Sequence, residues 1–267
     1  EKIMNLEQMA AFIEESGRNR IFDLKSRKTS KHIIDEELRA IDALIDDRIV
    51  NRILSYEGYS PSMRDFLPSM FLRAEILKAI KYPEISYRKF CGDDRRDEKH
   101  KIHNPYTGAE QRQNREFIGL GLRRRLYLNH VQLTQFRSGL DFARLVNLNV
   151  YILHQFKEAG FLKDDMIHCL DSTELASECQ KRLATVEIKG QKIRIYNDID
   201  CDCGVRRNKR DKSVYVVGYR LHTLTAIDPA TGHSYPLISL MAPANHHDNN
   251  FLGPIGELSL ALGLDVR

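Results

Sequence analysis

The chain has 267 residues, of which 42% are hydrophobic and 29% are charged. This balance excludes a wholly disordered chain and a membrane-embedded one, and the length suits two compact domains better than one small core. The formal net charge is only +4, yet Arg88 to Arg137 alone holds 12 Lys and Arg against 6 Asp and Glu. A local basic block of this kind is typical of a surface that binds phosphate backbones, and a solvated helix face beside nearby acids is the alternative.

The sequence begins Glu1-Lys2-Ile3-Met4, without an initiator methionine or an apolar secretory segment. We therefore expect a cytoplasmic chain that is part of a longer protein. No stretch approaches the roughly 20 apolar residues that cross a bilayer, so no membrane partner is expected. The five cysteines are an odd number, which predicts reduced thiols rather than a disulfide framework.

Residues 1–164 are predicted to be helical, because apolar residues recur there at spacings of three and four. The basic block makes this partly basic region the predicted DNA-binding domain. The segment 93–116 is polar, has no apolar period and is predicted to be a loop or linker. Helices are predicted over the apolar stripes Leu38–Leu54 and Phe66–Ile80 and over Asp141–Glu158, which Gly160 is placed to end.

The pattern changes to strands in residues 165–267. The predicted strands are Met166–Leu170, a hairpin over Thr185–Tyr196, Ser213–Ile227 and Tyr235–Met241. A helix is expected from the polar segment at Asp248 through about Leu262, and Gly263 to Arg267 resembles the start of another strand. The predicted fold class is therefore α+β, with a helical N-terminal region followed by an incomplete ribonuclease-H-like mixed sheet.

Asp171 directly follows the predicted strand Met166–Leu170. A carboxylate does not enter a core without a partner, so we expect it at the carboxyl edge of the sheet, where α/β sites bind ligands. Carboxylate oxygens suit Mg²⁺, and two such ions can clamp the attacking and leaving oxygens of a phosphoryl transfer. The alternative is that Asp171-Ser172-Thr173 caps a helix that runs through Lys181.

Several segments, in this order, resemble bacterial insertion-sequence transposases of the DDE class. Ile167-His168-Cys169-Leu170-Asp171-Ser172-Thr173 is similar to their first acidic motif, and Gly218-Tyr219-Arg220-Leu221-His222 is similar to their second-strand signature. The other similar segments are Pro243-Ala244-Asn245-His246-His247-Asp248, Ser86-Tyr87-Arg88 and Leu133-Thr134-Gln135-Phe136-Arg137.

The resemblance implies metal-dependent cleavage and strand transfer of double-stranded DNA at transposon ends, by a ribonuclease-H-like core that holds two Mg²⁺ or Mn²⁺ ions on three acids. It implies that Asp171 is the first metal ligand and a catalytic residue. The second and third acids would lie beyond residue 267, so the resemblance describes a chain that is truncated at its C-terminal end. A homodimer is a possible assembly.

Asp248 is a secondary catalytic candidate, because it lies in a polar loop with two histidines in front of a predicted helix. The interpretation preferred for Asp248 is an N-cap of that helix. Asp265 is a still weaker candidate.

Basic clusters supply the predicted DNA contacts. For the cluster from Arg206 to Arg210, a solvated loop is an equally good alternative. The predicted DNA-binding residues are Arg95, Arg96, Arg123, Arg124, Arg125, Arg137, Arg206, Arg207, Lys209 and Arg210.

Other functions stay open at this point. A non-catalytic DNA-binding protein or a remnant of a decayed mobile element would retain the basic block without the missing acids, and a two-domain scaffold would have no nucleic-acid role. Cys201-Asp202-Cys203 has no matching second cysteine pair, so small buried thiols are a better interpretation than a zinc site.

Overall fold

The computed structural model describes residues 2–18, 33, 35–55, 66–91, 111–120, 128–177, 181–207, 213–264 and 266. The chain divides into two compact units. The first comprises Glu1–Met4 with Gln8–Tyr151, and the second comprises Asn5–Glu7 with Ile152–Arg267. The predicted α+β composition is confirmed.

The elements formed by the described residues before the first strand are all helices. They are α1 Leu6–Arg18, α2 Glu36–Leu44, α3 Asp47–Leu54, α4 Pro68–Lys81, α5 Tyr87–Cys91, α6 Gln111–Ile118, α7 His130–Gly139 and α8 Phe142–Glu158. Gly160 follows α8 with a φ of 75°, the left-handed conformation expected of a residue that ends a helix.

Two predictions for the first half of the chain need correction. The stripe Leu38–Leu54 is two helices rather than one, because Asp46 caps the second: its Oδ1 accepts a hydrogen bond from the backbone N of Arg48 at 2.9 Å. The predicted loop 93–116 is wrong at its end, where α6 begins at Gln111. The rest of that segment lies outside the described residues.

A buried arginine links helices of the first unit. The Arg73 side chain is 2% exposed, and its Nη1 donates to Asp42 at 2.5 Å while its Nε donates to Asp47 at 2.9 Å. Its guanidinium also lies over the Phe117 ring, 5.5 Å from the ring centre. Because a buried charge is costly without partners, these contacts oblige α2, α3, α4 and α6 to pack in one arrangement.

The second unit contains the strands. They are β1 Ile167–Ala176, β2 Arg182–Ile188, β3 Gln191–Tyr196, β4 Asp202–Arg207, β5 Ser213–Ile227 and β6 Ser234–Pro243, and α9 Leu252–Ala261 follows them. β5 pairs antiparallel with β1, β4 and β6, while β2 and β3 form a separate two-stranded sheet. The predicted hairpin and the predicted strand Ser213–Ile227 are confirmed.

The two faces of the larger sheet differ because side chains alternate along a strand. The even-numbered residues of β5 from Gly218 to Ala226 are buried. Their partners on β1 from His168 to Glu174, such as Ser172 opposite His222, are half-buried, whereas the odd-numbered residues of β1 from Ile167 to Leu175 are exposed. One face of the sheet is therefore packed, and the other is open along β1.

The predicted strand start at Gly263 is instead the end of a helix. Gly263 has a φ of 78°, and the backbone N of Leu264 donates to the carbonyl of Ser259 at 2.9 Å. This geometry terminates α9. Asp265 and Arg267 lie outside the described residues.

Among the helices of the described residues, none combines the length and the apolar character that crossing a membrane requires.

Candidate functional site

Asp171 lies within β1 rather than after it. It pairs with Thr223 of β5, and the strand continues to Ala176. The predictions that a strand stops at Asp171 and that Asp171 caps a helix are therefore both wrong. Asp171 is on the open face and its side chain is exposed. Because the carboxylate stays hydrated there, the strand does not need to end at this residue. Its Oδ1 accepts a hydrogen bond from the backbone N of Ser172 at 2.8 Å.

A polar cluster lies on the opposite, packed face of the same strands. The Nδ1 of His222 is 2.7 Å from Oδ1 of Asp248, and the imidazole is fully buried. Its ring stacks on Phe251 with 3.9 Å between ring centres. Ser172, which pairs with His222 across the strands, also lowers the pKa of Asp248 through its hydroxyl. The cluster fastens the turn at 248–251 to both β1 and β5.

The electrostatics of Asp248 favour its charged form. Burial acts to raise the pKa of this carboxyl, but the hydrogen bonds with Ser172 and His222 outweigh that effect, and the pKa is lowered. Asp248 therefore remains ionised near neutral pH and acts as the acceptor for both partners.

The N-cap interpretation of Asp248 is wrong. The short turn Asp248–Asn250 has His247 at its N-cap position, and α9 has Phe251 there, with no side-chain capping bond at either. The carboxylate of Asp248 is directed to the sheet instead.

This cluster has the residue types of a hydrolase triad but lacks the contact between histidine and serine. In a triad, the histidine contacts the serine that it activates. Here His222 contacts Asp248, and its buried Nε2 has no hydrogen-bond partner among the described residues. The described arrangement therefore supports a structural role more than a nucleophilic one.

A second buried contact holds the loop after β6. Arg220 is 9% exposed; its Nη2 is 3.3 Å from Oε1 of Glu174, and its Nη1 donates to the carbonyl of His246 at 3.0 Å. Because Glu174 is on β1 and His246 follows β6, one guanidinium ties both to β5. The three segments of the second unit that carry the transposase resemblance are thus neighbours in space.

The structure does not bring Asp171 and Asp248 to one position. Ser172 is on the packed face beside His222, the partner of Asp248, and the adjacent Asp171 points to the open face. Within the described part of the chain, no group of three or more His, Cys, Asp or Glu side chains could hold a metal ion. Asp171 is consequently an exposed oxygen donor that would need further ligands from elsewhere.

Of the predicted DNA-binding residues, Arg137 is the one whose side chain the structure describes. Its Nε lies 3.5 Å from Oε1 of Glu75, and its guanidinium lies over the Tyr87 ring at 4.3 Å. Arg206 and Arg207 are in β4, paired with Val214 and Ser213. The others fall outside the described residues: Arg95, Arg96, Arg123, Arg124, Arg125, Lys209 and Arg210.

Sequence reasoning missed the roles of Ser172, Glu174, Arg220 and His222. A signal for two of them was present. Arg220 and His222 alternate along β5 with the same spacing as the apolar residues Leu224 and Ala226, so all four side chains point to the same face of the strand. Polar residues at the buried parity of a strand require partners, although the sequence does not identify those partners.

Comparisons with protein-family models, with curated proteins and with solved structures gave no match for this chain.

Proposed function

We propose that this chain is part of a DNA transposase of the DDE class, in which Asp171 is the first of the carboxylates that bind catalytic Mg²⁺ or Mn²⁺. The reaction of the complete protein would be hydrolysis of a phosphodiester at a transposon end, followed by attack of the new 3′-hydroxyl on target DNA. The chain would supply one metal ligand and the DNA-binding surface.

The observation that supports this proposal best is the arrangement of β1, β5 and β6. In this antiparallel sheet β1 pairs with β5 and β5 pairs with β6, although β2 to β4 lie between β1 and β5 in the chain, and α9 follows β6. Three antiparallel strands followed by a helix are the opening order of a ribonuclease-H-like sheet. Asp171 is on the first of these strands, with an exposed carboxylate.

The charge distribution supports DNA as the partner. The block Arg88 to Arg137 carries twice as many basic as acidic residues, so it would attract a phosphate backbone. This supports binding of a polyanion, and the choice of transposon ends rests on the resemblance described above.

A bound divalent cation would supply Lewis-acid stabilisation of the charge that develops on phosphate oxygens. Asp171 is the residue of this chain that would hold it, because its oxygens are hard donors and are accessible on the open face. The remaining ligands would come from outside the residues described.

Asp171→Asn tests the proposal in the protein that carries this chain. Since the substitution removes a charged metal ligand and keeps the side-chain size, Mg²⁺-dependent cleavage of DNA bearing the element's ends should fall by about three orders of magnitude. Asp164→Asn is the matched control, an exposed aspartate outside the strands, and should cleave normally. Undiminished cleavage by Asp171→Asn would reject the catalytic role.

The same assay distinguishes a transposase from a DNA-binding protein that has no catalytic activity. If the unsubstituted protein binds DNA but does not cleave it with Mg²⁺ or Mn²⁺, a DNA-binding protein or a remnant of a mobile element is the better description. If it binds no DNA, both assignments fail.

A further inference from the structure

The hairpin β2–β3 is a ribbon that pairs with no other strand of the described residues. Its tip is Lys189-Gly190, with φ values of 51° and 77°. Positive φ at both residues of a two-residue loop is the type I′ geometry, which keeps the two strands in register with their natural twist. The ribbon is therefore a defined element rather than an irregular loop.

The hairpin is the most basic described part of the second unit. Residues 181–194 carry five cations and one acid, Glu187. The resulting charge of +4 equals that of the whole chain, so the remainder is neutral overall. All five cations are exposed, and none of them forms an ion pair with a described carboxylate. They are Lys181, Arg182, Lys189, Lys192 and Arg194.

The strand register gives the ribbon two different faces. Glu187 pairs with Lys192 and Thr185 pairs with Arg194, so these polar side chains share one face. The pair Val186 and Ile193 belongs to the other face, which is apolar. One face of the ribbon is suited to phosphates, and Lys189 extends that charge to the tip.

We propose that the hairpin β2–β3 is a DNA-binding ribbon that enters the major groove of a duplex, with Lys189 and Lys192 contacting the phosphates beside the groove. The groove is about 12 Å wide and admits a two-stranded ribbon, and strands of this length extend for roughly 20 Å. Lysines on the strands and tip reach the flanking phosphates, while the apolar face suits thymine methyl groups. This inference rests on the proposed function, because it assigns a second contact to the same DNA partner.

The test compares two charge-matched variants of the full chain. Lys189→Gln/Lys192→Gln removes two cations from the ribbon, and Lys2→Gln/Lys157→Gln removes two exposed cations outside it. Binding to a 30-base-pair DNA duplex is measured by fluorescence anisotropy at several salt concentrations. The ribbon variant should make the negative slope of log K against log salt shallower by about two, since each lost phosphate contact removes about 0.9 from its magnitude. The control should have the slope of the unsubstituted chain.

The outcomes distinguish failure of the ribbon from failure of the DNA partner. Equal slopes for both variants and the unsubstituted chain would overturn the ribbon proposal and leave the proposed function intact. An equal decrease in both variants would also overturn it, because net charge alone would then explain the effect. No binding by the unsubstituted chain would overturn the proposed function and the ribbon together.

A footprint gives an independent measurement. Duplex DNA should protect Lys189 and Lys192 from acylation by a water-soluble ester, and Lys157 should remain reactive. Duplex RNA of the same length should protect the two lysines less, because its major groove is too narrow for side chains to read. Equal reactivity of all three lysines with and without DNA would contradict the proposal.

Discussion

Single charged residues determine much of how this molecule holds its elements together. Arg73 joins helices of the first unit, whereas Arg220 and Asp248 join strands to a loop in the second. Each is buried or half-buried and has partners from other elements. Because an unpartnered buried charge is unfavourable, such residues make alternative packings costly, which gives them a role in specifying the fold.

Asp228 shows the same principle at a turn. Its Oδ2 is 2.8 Å from Nζ of Lys163, and its Oδ1 accepts from the backbone N of Ala230 at 2.9 Å. The Lys163 ammonium, helped by the Ala230 amide, lowers the pKa of this carboxyl to about 2 from its ordinary value of 3.8. The folded state therefore favours the ionised form more strongly than the unfolded state does.

The second unit should consequently lose stability in acid. A depressed carboxyl pKa stabilises the fold above the unfolded value near 3.8, and that contribution disappears as the pH falls through about 2. We expect Asp228→Asn to be less stable than the unsubstituted chain at pH 6, with the difference narrowing between pH 4 and pH 2. Urea unfolding midpoints at these pH values provide the measurement.

Asp164→Asn is the control for this series, because Asp164 is exposed and precedes the strands. Its midpoints should follow those of the unsubstituted chain. A constant difference in midpoint between Asp228→Asn and the unsubstituted chain at every pH would contradict this prediction, since the lost stability would then be independent of the ionisation of Asp228.

At the scale of elements, a close approach of backbones determines where β4 can lie. A Cβ on Gly204 would be 2.2 Å from the carbonyl oxygen of Ala244, a distance that no real side chain tolerates. Glycine at this position allows β4 to pair with β5 beside the loop that follows β6. The contact is with backbone, so it cannot be relieved by a side-chain rotation.

Gly204→Ala should therefore lower the free energy of unfolding by about 1–3 kcal/mol, the cost typical of overpacking. Gly256→Ala is the matched control: Gly256 is within α9, and nothing lies within 4 Å of an added Cβ. That substitution should stabilise by up to about 1 kcal/mol, because alanine is the better helix former. Urea denaturation of both variants checks the pair, and a stabilising Gly204→Ala would refute the close-approach argument.

At the scale of the whole molecule, positive charge lies in both units while the chain overall is only mildly basic. The first unit contains the block Arg88 to Arg137, and the second contains the hairpin β2–β3. A polyanion that binds either cluster would release counterions, so its affinity would depend on salt.

We expect the chain to bind duplex DNA with a log–log salt slope of roughly −5 or steeper, equivalent to about six phosphate contacts. If each of these arginines contacts one phosphate, Arg123→Gln/Arg124→Gln/Arg125→Gln should reduce the magnitude of that slope by about three. Anisotropy titrations from low to physiological salt measure both values. Binding that is absent, or that does not change with salt, would contradict the assignment of DNA binding to the first unit.

Local sequence patterns were sufficient to predict most of the elements that the described residues form. The spacing of apolar residues predicted α4, α8 and the helical character of the first half, and alternation about Lys189-Gly190 predicted β2 and β3. These predictions succeeded because helix period, strand alternation and turn chemistry are short-range properties. The strand β4 was missed, because Cys201-Asp202-Cys203-Gly204 is polar and glycine-containing, and its strand conformation depends on pairing with β5.

The contacts of the candidate site were decided by tertiary structure alone. The sequence marked Asp171 and Asp248 as carboxylates of interest, but their assignment to opposite faces of β1 depends on strand register. Likewise, nothing near Asp248 in the sequence identifies His222, 26 residues away, as its partner. Register and long-range pairing arise from packing of the whole sheet, so a local pattern can indicate which residues need partners without determining which ones they meet.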